Sequence, residues 1–246
     1  MPEYDPNPCT ELRECDAAHM TVAIAMLTCR EGSLQVLMVE DMRAPFEGQL
    51  SLPTSYVRGD QRIDQAVRDL LYRELPLGDR DLEQIYTFSC PDRDPRARVM
   101  CCAYVDAAAP DDFEWISMMN EKMMVDVRLD AGNEPHFSVQ GMPMRVGLDH
   151  GEAVARAILH IRAHLPSSLH PWRMLPESFT LNQAQQAHEA ILGRKLTDPA
   201  FRKSAVKRRL PDGSRLVPTA DHDRSGRHRP ARLYRLQRPP YNWGKP

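Results

Sequence analysis

The sequence predicts an α/β domain followed by a smaller domain of two helices and two strands. Two observations carry this prediction. Apolar runs of strand length flank an amphipathic helix in the first part, and the net charge changes sign along the chain. Residues 1–165 contain 16 Lys and Arg against 28 Asp and Glu, whereas residues 166–246 contain 16 against 6. We therefore expect a second domain that binds a polyanion; neutralisation between the two halves is the alternative.

The composition is that of a soluble globular protein, with 246 residues, of which 42% are hydrophobic and 27% charged. The six cysteines form no CxxC pair and no metal-ligand spacing, so we interpret them as small apolar residues in a reducing compartment. We see neither a signal segment nor an apolar run long enough to cross a bilayer. The expected location is the cytoplasm.

The first domain is predicted to contain two pairs of strands. Thr21–Thr28 and Leu34–Val39 are apolar runs joined by the turn Arg30–Ser33, which is typical of a β-hairpin. Gln84–Cys90 and Arg98–Val105 form the second pair, separated by the loop PDRDPRA. The region between the pairs holds the helix.

That helix belongs to the stretch GQLSLPTSYVRGDQRIDQAVRDLLYRELPL, residues 48–77. The stretch resembles a Nudix box, in which a loop cradles a diphosphate and helix carboxylates hold Mg²⁺. Anchoring the pattern on Leu52-Pro53 places its glycines and charged positions on Ser55, Gln61, Asp69-Leu70, Arg73-Glu74 and Pro76. Leu70, Arg73 and Glu74 share one helix face, and a magnesium cluster needs several oxygen ligands there. We expect no hydrolysis, no cofactor and no metal; an ordinary amphipathic helix is the alternative interpretation.

A second hairpin and a second helix are predicted to complete the first domain. Val125–Asp130 and His136–Gln140 flank a turn. A helix then follows Asp149-His150 and runs to about His164, and we interpret His150 as a hydrogen-bonded residue at the start of that helix and not as a catalyst. Methionines crowd residues 118–144 (Met118, Met119, Met123, Met124, Met142 and Met144), and we expect them in a core or dimer contact.

The domain boundaries follow from composition. We predict a mobile tail over residues 1–18, the first domain over 19–165, a linker rich in proline and serine over 166–176 and the second domain over 177–240.

The second domain has clear helix signals. Thr180 and Gln183 form a capping box, and Gly193 stands where a helix would end. Asp198-Pro199 then opens a basic helix, predicted over Pro199–Leu210, with Phe201, Ala205 and Val206 facing inward.

Two short strands, Arg215–Pro218 and Ala231–Leu236, follow the basic helix, with a basic loop over Asp221–Pro230 between them. This order is that of a winged helix-turn-helix. The run Gly226–Arg235 is similar to the Gly-Arg-x-Arg-Pro-Ala-x-Leu-Tyr-Arg run of the Nudix-related transcriptional regulators of NAD metabolism. The resemblance covers the chain from about Thr21 to Leu236 and implies a Nudix-like α/β/α sandwich followed by a winged helix-turn-helix.

The predicted DNA contacts come from the basic helix and the loop. The front of a recognition helix reads bases in the major groove, and a wing contacts phosphates or the minor groove. The candidates are Arg202, Lys203, Lys207, Arg208, Arg227, His228, Arg229 and Arg232. A solvated basic face is the alternative.

By resemblance, the first domain binds an adenine nucleotide of NAD metabolism, such as ATP, ADP-ribose or NAD. The candidate effector contacts are Arg43, Tyr56, Arg58, Arg73, Glu74 and Phe88. Arg73 has two interpretations that the sequence does not separate: it meets phosphate, or it pairs with Asp69.

These observations predict a homodimeric repressor that binds double-stranded operator DNA and senses its effector through an inactive Nudix-like domain. One rival is a divergent Nudix hydrolase with a tail that binds nucleic acid. The other is a binding module whose basic part contacts a protein.

Overall fold

Strand β1 (His19–Arg30) forms the centre of a large mixed sheet, and its residues 21–28 are all buried. Successive side chains of a strand point to opposite faces, and β1 accordingly serves two separate cores. Ala23, Ala25 and Leu27 belong to one core, and Val22 and Ile24 belong to the other. Burial on both faces explains why this strand is a continuous apolar run in the sequence.

The computed structural model describes residues 17–42, 44–74, 78, 80, 82–114, 122–223 and 230–238. Its large sheet has the order β5-β6-β1-β2-β7-β8-β9, with β3 paired to β2 and β4 to β1. The other strands are β2 (Ser33–Glu40), β3 (Leu50–Ser51), β4 (Thr54–Tyr56), β5 (Glu83–Phe88), β6 (Val99–Ala107), β7 (Lys122–Leu129), β8 (Pro135–Val139) and β9 (Met142–Pro143). Strands β1 and β6 are parallel, and both predicted hairpins, β1–β2 and β7–β8, are confirmed.

Helices cover both faces of this sheet. Helix α1 (Ile63–Glu74) buries Ala66, Val67, Leu70 and Leu71 in the core with Val22 and Ile24. Helix α2 (His150–Ala163) packs on the opposite face through the predicted stripe Ala153, Val154, Ala157, Ile158 and Ile161. The predicted α/β/α layering follows from these two apolar stripes.

The C-terminal part has the elements of a winged helix. They are α3 (His170–Arg173), β10 (Phe179–Thr180), α4 (Leu181–Leu192), α5 (Asp198–Lys207), β11 (Arg215–Asp223) and β12 (Ala231–Gln237). The strands form a second sheet in the order β10-β12-β11. The helix signals are confirmed: Thr180 and Gln183 form the capping box at α4, and Gly193 ends that helix with a left-handed φ of 68°.

The linker prediction for residues 166–176 needs a correction. Its residues His170–Arg173 form α3, and Trp172 and Met174 lie in the core at 1% exposure each, whereas Pro166 and Ser167 are exposed. Proline and serine content suggested an extended linker, but Trp172 brings enough apolar surface to pack. Other domain limits stay predictions, and residues 1–16 of the predicted tail lie outside the described residues.

The recognition helix differs from its prediction at both ends. The residue before it is Thr197, and Pro199 lies in its first turn. The helix ends at Lys207 because Arg208 takes an extended conformation and Arg209 pairs with Arg215 at the start of the β11–β12 hairpin. The expectation that Val206 faces inward is wrong, since it is 42% exposed. Strand β11 also runs five residues past the predicted Pro218.

The winged helix and the large sheet share one core. Ala184, Ala187 and Ile191 of α4 belong to the same buried cluster as Ala25, Val36 and Ile158, and α4 contacts β1 and β2 directly. Asp106 of β6 is fully buried, and it accepts from Arg80 at 2.6 Å and from Arg173 of α3 at 2.6 Å. An ion-paired carboxylate therefore joins the sheet to the winged helix.

The methionine-rich segment contributes to packing where it is described. Met123 and Met144 pack against the core on the α2 face, and Met124 packs against the core on the α1 face. Met142 is 69% exposed, while Met118 and Met119 lie outside the described residues. Among the described helices, none has the length and apolar character needed to cross a membrane.

Candidate effector pocket and DNA-binding surface

The helix face that the sequence analysis compared with a metal site is occupied by packing and ion pairs. Leu70 is completely buried in the α1 core. Glu74 accepts from Arg73 Nε at 2.8 Å and from Lys122 Nζ at 2.8 Å. Burial would raise the pKa of Glu74, but the hydrogen bonds from Arg73 and Lys122 lower it. A carboxylate held by two cations is a poor ligand for a further cation.

Arg73 pairs with a residue that the sequence analysis did not consider as its partner. Its neighbour Glu74 takes the guanidinium, whereas Asp69 accepts from Gln61 Nε2 at 2.7 Å. The Asp69 alternative rested on helical spacing and the phosphate alternative on the charge of the helix face, and neither considered the adjacent Glu74. Within the described part of the chain, no three His, Cys, Asp or Glu side chains are grouped as a metal site.

A pocket of about 190 Å³ lies beside the loop that begins the Nudix-like stretch. Its lining includes Phe46, Tyr56, Arg93, Arg96 and His150. Tyr56 is 55% exposed, so its ring is available to a bound molecule. The pocket combines aromatic surface with the accessible guanidinium group of Arg96, which suits a ligand carrying a base and phosphate.

The two arginines that line the pocket are fixed by carboxylates, of which Asp94 is buried and Asp149 is half-buried. Arg93 donates from Nε and Nη2 to the two carboxylate oxygens of Asp149, at 2.7 and 2.5 Å. Arg96 binds Asp94 in the same way, at 2.9 and 2.7 Å, and its guanidinium carbon lies 5.0 Å from the centre of the Phe46 ring. The hydrogen bond from Arg96 is the largest cause that lowers the pKa of Asp94. Because the side chain of Arg96 is 51% exposed, it can hold Asp94 and still present N–H groups to the pocket.

His150 closes the back of the pocket, and its predicted role is confirmed by its hydrogen bond. Its Nδ1 accepts from the backbone N–H of Leu52 at 3.0 Å. Burial lowers the pKa of His150 to about 4, so the ring is neutral near pH 7. The neutral ring ties the loop of the Nudix-like stretch to the start of α2.

The predicted effector residues do not converge on this pocket. Of the candidates within the described residues, only Tyr56 lines it. Arg58 pairs weakly with Asp60 at 3.8 Å, and its side chain is 70% exposed. Phe88 is buried on the α2 face, whereas Arg73 and Glu74 belong to α1 on the other face. Arg43 lies outside the described residues.

The sequence analysis missed Arg93, Arg96 and Phe46. The loop PDRDPRA carried a usable signal, because alternating acidic and basic residues between two strands favour fixed ion pairs. Phe46 had no such signal, since its pairing with Arg96 depends on the folded chain.

The second surface is the outer side of α5. Phe201 and Ala205 face the core, and Arg202, Lys203 and Lys207 are exposed. Lys203, Lys207 and Arg208 border a shallow open groove with Ala200 and Ser204. Arg208 is half-buried beyond the end of the helix, where it donates to Ser204 Oγ at 3.3 Å.

Strand β12 carries a further cation beside this surface. Arg232 is exposed and pairs in register with His222 of β11. Arg227, His228 and Arg229, the predicted wing contacts, lie outside the described residues. The structure thus places one cationic helix and one cationic strand on the winged helix.

Known proteins resemble this chain in its C-terminal part and along nearly its whole length. Residues 171–236 match the model of the NrtR DNA-binding winged helix domain. The chain is 24% identical over 230 residues to the ADPR responsive transcriptional repressor NtrR of Acinetobacter baylyi, covering 92% of this chain and 85% of that protein.

Solved structures show the same fold. NrtR of Shewanella oneidensis complexed with a 27mer DNA aligns with a TM-score of 0.70 at 24% identity, over 89% of this chain and 93% of that one. A MutT/nudix family protein of Enterococcus faecalis aligns with a TM-score of 0.69 at 19% identity, over 92% and 90%. The predicted fold class, a Nudix-like α/β domain followed by a winged helix, is confirmed, as is the resemblance on which it rested.

Proposed function

We propose that this protein, whose residues 171–236 form a winged helix domain of the NrtR type, is a transcriptional repressor that binds operator DNA and responds to ADP-ribose. The observation that carries the proposal is the exposed cationic face of α5 on a segment that matches a DNA-binding winged helix domain. A recognition helix of this kind enters the major groove, where Arg and Lys bind guanine edges.

The effector narrows from three candidates to ADP-ribose. The A. baylyi relative is described as responsive to ADPR, and the pocket offers the ring of Tyr56 as a base platform and the guanidinium group of Arg96. Pockets for small ligands usually have about 300–1,000 Å³, so a space of about 190 Å³ would hold one part of ADP-ribose. The remainder would lie across the exposed ring of Tyr56.

Hydrolysis of that ligand is not part of the proposed function. A metal-assisted attack on a diphosphate needs carboxylates that converge on the cation. Leu70 stands in the core where one of them belongs, and Glu74 is held by Arg73 and Lys122. A divergent hydrolase would need ligands from other elements. The rival predicts steady release of products from ADP-ribose with Mg²⁺, and the proposal predicts none.

Helix α2 supports a physical route between the two sites. At its beginning, Asp149 and His150 contact the pocket arginine Arg93 and the loop at Leu52. Near its end, Arg162 donates to the carbonyl of Ile191 in α4 at 2.6 Å. A ligand that moves the start of α2 would therefore displace helix α4 of the winged helix.

Three finer points belong to the same proposal. Operator half-sites read by winged helices are usually related by twofold symmetry, which supports a homodimer. The resemblance to regulators of NAD metabolism supports target genes in that pathway, and a DNA-binding role supports a location in the cytoplasm.

The direct test is selection of bound duplexes from random DNA with the intact protein, followed by fluorescence anisotropy on the selected and scrambled sequences. The proposal predicts a specific affinity about 10³-fold or more above the scrambled duplex. Recovery of no preferred sequence would refute it. Parallel incubation with ADP-ribose and Mg²⁺ tests the alternative, a divergent Nudix hydrolase. Turnover of about 1 s⁻¹, ordinary for an enzyme, would support the hydrolase.

A further inference from the structure

A cleft of about 510 Å³ lies between the large sheet and the winged helix. Strands β7 and β8 form one wall, and the second half of α2 with the turn after α4 forms the other. The volume falls in the range of about 300–1,000 Å³ usual for small-molecule sites. The cleft is separate from the effector pocket, since His150 and Arg162 are twelve positions apart on α2, or about 18 Å.

The cleft carries more positive than negative charge. Its cations are Arg128, Arg162, Arg194 and Lys195, and its carboxylates are Asp126 and Glu189. Both carboxylates have other partners. Asp126 accepts from Gln35 Nε2 at 2.9 Å, and Glu189 accepts from Lys195, Gln185 and the backbone N–H of Leu196 at 2.8–2.9 Å. The hydrogen bond from Lys195 is the largest cause that lowers the pKa of Glu189 to about 2.

Three arginines are consequently left without a countercharge. Among the described residues, no carboxylate forms an ion pair with Arg128, Arg162 or Arg194. Arg162 is also half-buried, and burial lowers its pKa. A guanidinium taken out of water costs free energy that an anion nearby would recover.

A structural role accounts for only part of the arrangement at Arg162. Its Nε caps the last turn of α4 by donating to Ile191. A Cβ on Gly193 would lie 3.1 Å from Arg162 Nη2, so this position leaves room for the guanidinium. The cap uses one of five N–H donors and involves neither Arg128 nor Arg194.

We propose that this cleft is a second ligand site, and that it binds a small multivalent anion of the diphosphate or triphosphate type. Arg162 contacts the phosphate oxygens from α2, Arg194 from the turn after α4, and Arg128 from β7. The planar guanidinium fork matches such oxygens in pairs. The bound anion would link the two parts of the chain across their junction.

The phosphates of DNA are the other source of such oxygens, and the geometry favours the small molecule. Both the sheet and α4 bound the cleft, which suits a compact group, whereas the open groove along α5 suits a strand. The inference goes beyond the proposed function, because it stands whether or not ADP-ribose controls DNA binding.

The test is titration of the intact protein with inorganic pyrophosphate by isothermal calorimetry. We expect one saturable site per chain, weakened about 10–100-fold by Arg194→Gln and by Arg162→Lys. Arg194 is exposed, so its variant keeps the fold even if changes at Arg162 disturb α4. The matched control is Arg156→Gln, because Arg156 lies on the same helix but pairs with Glu152 at 2.6 Å. This variant should bind pyrophosphate like the wild type.

Several results would overturn the proposal. One is the absence of saturable binding, and another is equal affinity in Arg194→Gln and the wild type. Loss of binding in Arg96→Gln alone would place the anion in the effector pocket. If Arg194→Gln instead weakens scrambled duplex DNA and lowers the salt dependence by about one unit, the cations serve the DNA backbone. DNA binding by the wild type, measured separately, distinguishes this failure from a failure of the repressor proposal.

Discussion

At the scale of single residues, the candidate effector pocket contains two arginines that are each paired with a carboxylate of the protein. Arg93 is 3% exposed and fully engaged with Asp149, whereas Arg96 is 51% exposed beside Asp94. The first fixes the start of α2, and the second remains accessible to a ligand. The two side chains therefore have different functions, although the sequence places them three residues apart.

Arg96→Gln should weaken ADP-ribose binding by about 10–100-fold, because a charge-assisted contact to phosphate is lost. The replacement amide can still donate to Asp94, so thermal unfolding should change little. Calorimetric titration with ADP-ribose measures the effect. The control is Arg58→Gln, at a residue that the sequence nominated but that lies outside the pocket. If Arg58→Gln has the larger effect, the pocket is assigned to the wrong place.

Two buried histidines predict acid sensitivity. Burial lowers the pKa of both His150 and His188 to about 4, against about 6.5 in the unfolded chain. The unfolded state therefore binds more protons between these values. Stability is fully present above pH 6.5, falls as the pH decreases toward 4 and then levels off. Each histidine should lower the free energy of unfolding by about 2 kcal/mol as the pH falls from 6.5 to 5.0.

His188→Asn should make this pH dependence less steep while lowering stability at neutral pH; part of the dependence remains, because burial also lowers the pKa of His150 and His170. In the wild type, His188 Nδ1 bonds the carbonyl of Ala184 at 2.7 Å, and the ring contacts Trp172 and Phe201. Urea unfolding at pH 7.0, 6.0 and 5.0 gives the slope of the unfolding free energy against pH for the wild type and the variant. Carboxylate titration lies mostly below this range. Identical slopes in the variant and the wild type would show that His188 is not the group responsible.

At the scale of elements, the sequence predicted what depends on local pattern. Apolar runs of strand length predicted the strands, helical spacing predicted α1 and α2, and a capping box with Gly193 predicted α4. The ends of α5 were less predictable because Arg209 leaves the helix to pair with Arg215. The sequence analysis placed Arg73 and Phe88 in one effector site, but they lie on opposite faces of the sheet. Which face each element covers is decided by the tertiary fold and could not be predicted from the sequence.

The two basic elements of the winged helix should contribute differently to DNA binding. Arg202 lies in the first half of α5, so Arg202→Ala should cost about 1–3 kcal/mol on the operator and little on scrambled DNA. Arg232 lies on β12 beside the helix, so Arg232→Ala should weaken both duplexes and lower the salt slope by about one unit. Fluorescence anisotropy across a salt series measures both.

Arg68→Ala is the control for these measurements, because Arg68 is on α1 and pairs with Asp64 at 2.8 Å. Equal losses on operator and scrambled DNA for Arg202→Ala would mean that α5 does not read bases.

At the scale of the whole molecule, the shared core makes the two parts interdependent. Helix α4 packs on β1 and β2, and Asp106 binds Arg80 and Arg173 from opposite sides of the junction. Charge and composition indicated two domains and a linker, yet neither reveals that Trp172 fills the space between them. In the proposed function, this packing is the route by which an event in the pocket reaches the DNA-binding surface.

Asp106→Asn should destabilise the entire chain by about 3–5 kcal/mol, since two arginines lose a fully buried partner. Because the core is continuous, unfolding should stay a single transition. Circular dichroism and tryptophan fluorescence in urea provide two probes, and Trp172 reports from the junction itself. Two separated transitions in the wild type would show that the winged helix and the sheet unfold independently.

The central claim is that a ligand in the first domain controls DNA binding by the second. Its most direct measurement is fluorescence anisotropy of a labelled operator duplex with the intact protein, titrated with and without saturating ADP-ribose. Regulation of this kind usually corresponds to about 1–3 kcal/mol, so we predict at least a fivefold change in the dissociation constant. The same titration of Arg96→Gln should show a much smaller change. An operator affinity that is identical at zero and saturating ADP-ribose in the wild type would contradict the account.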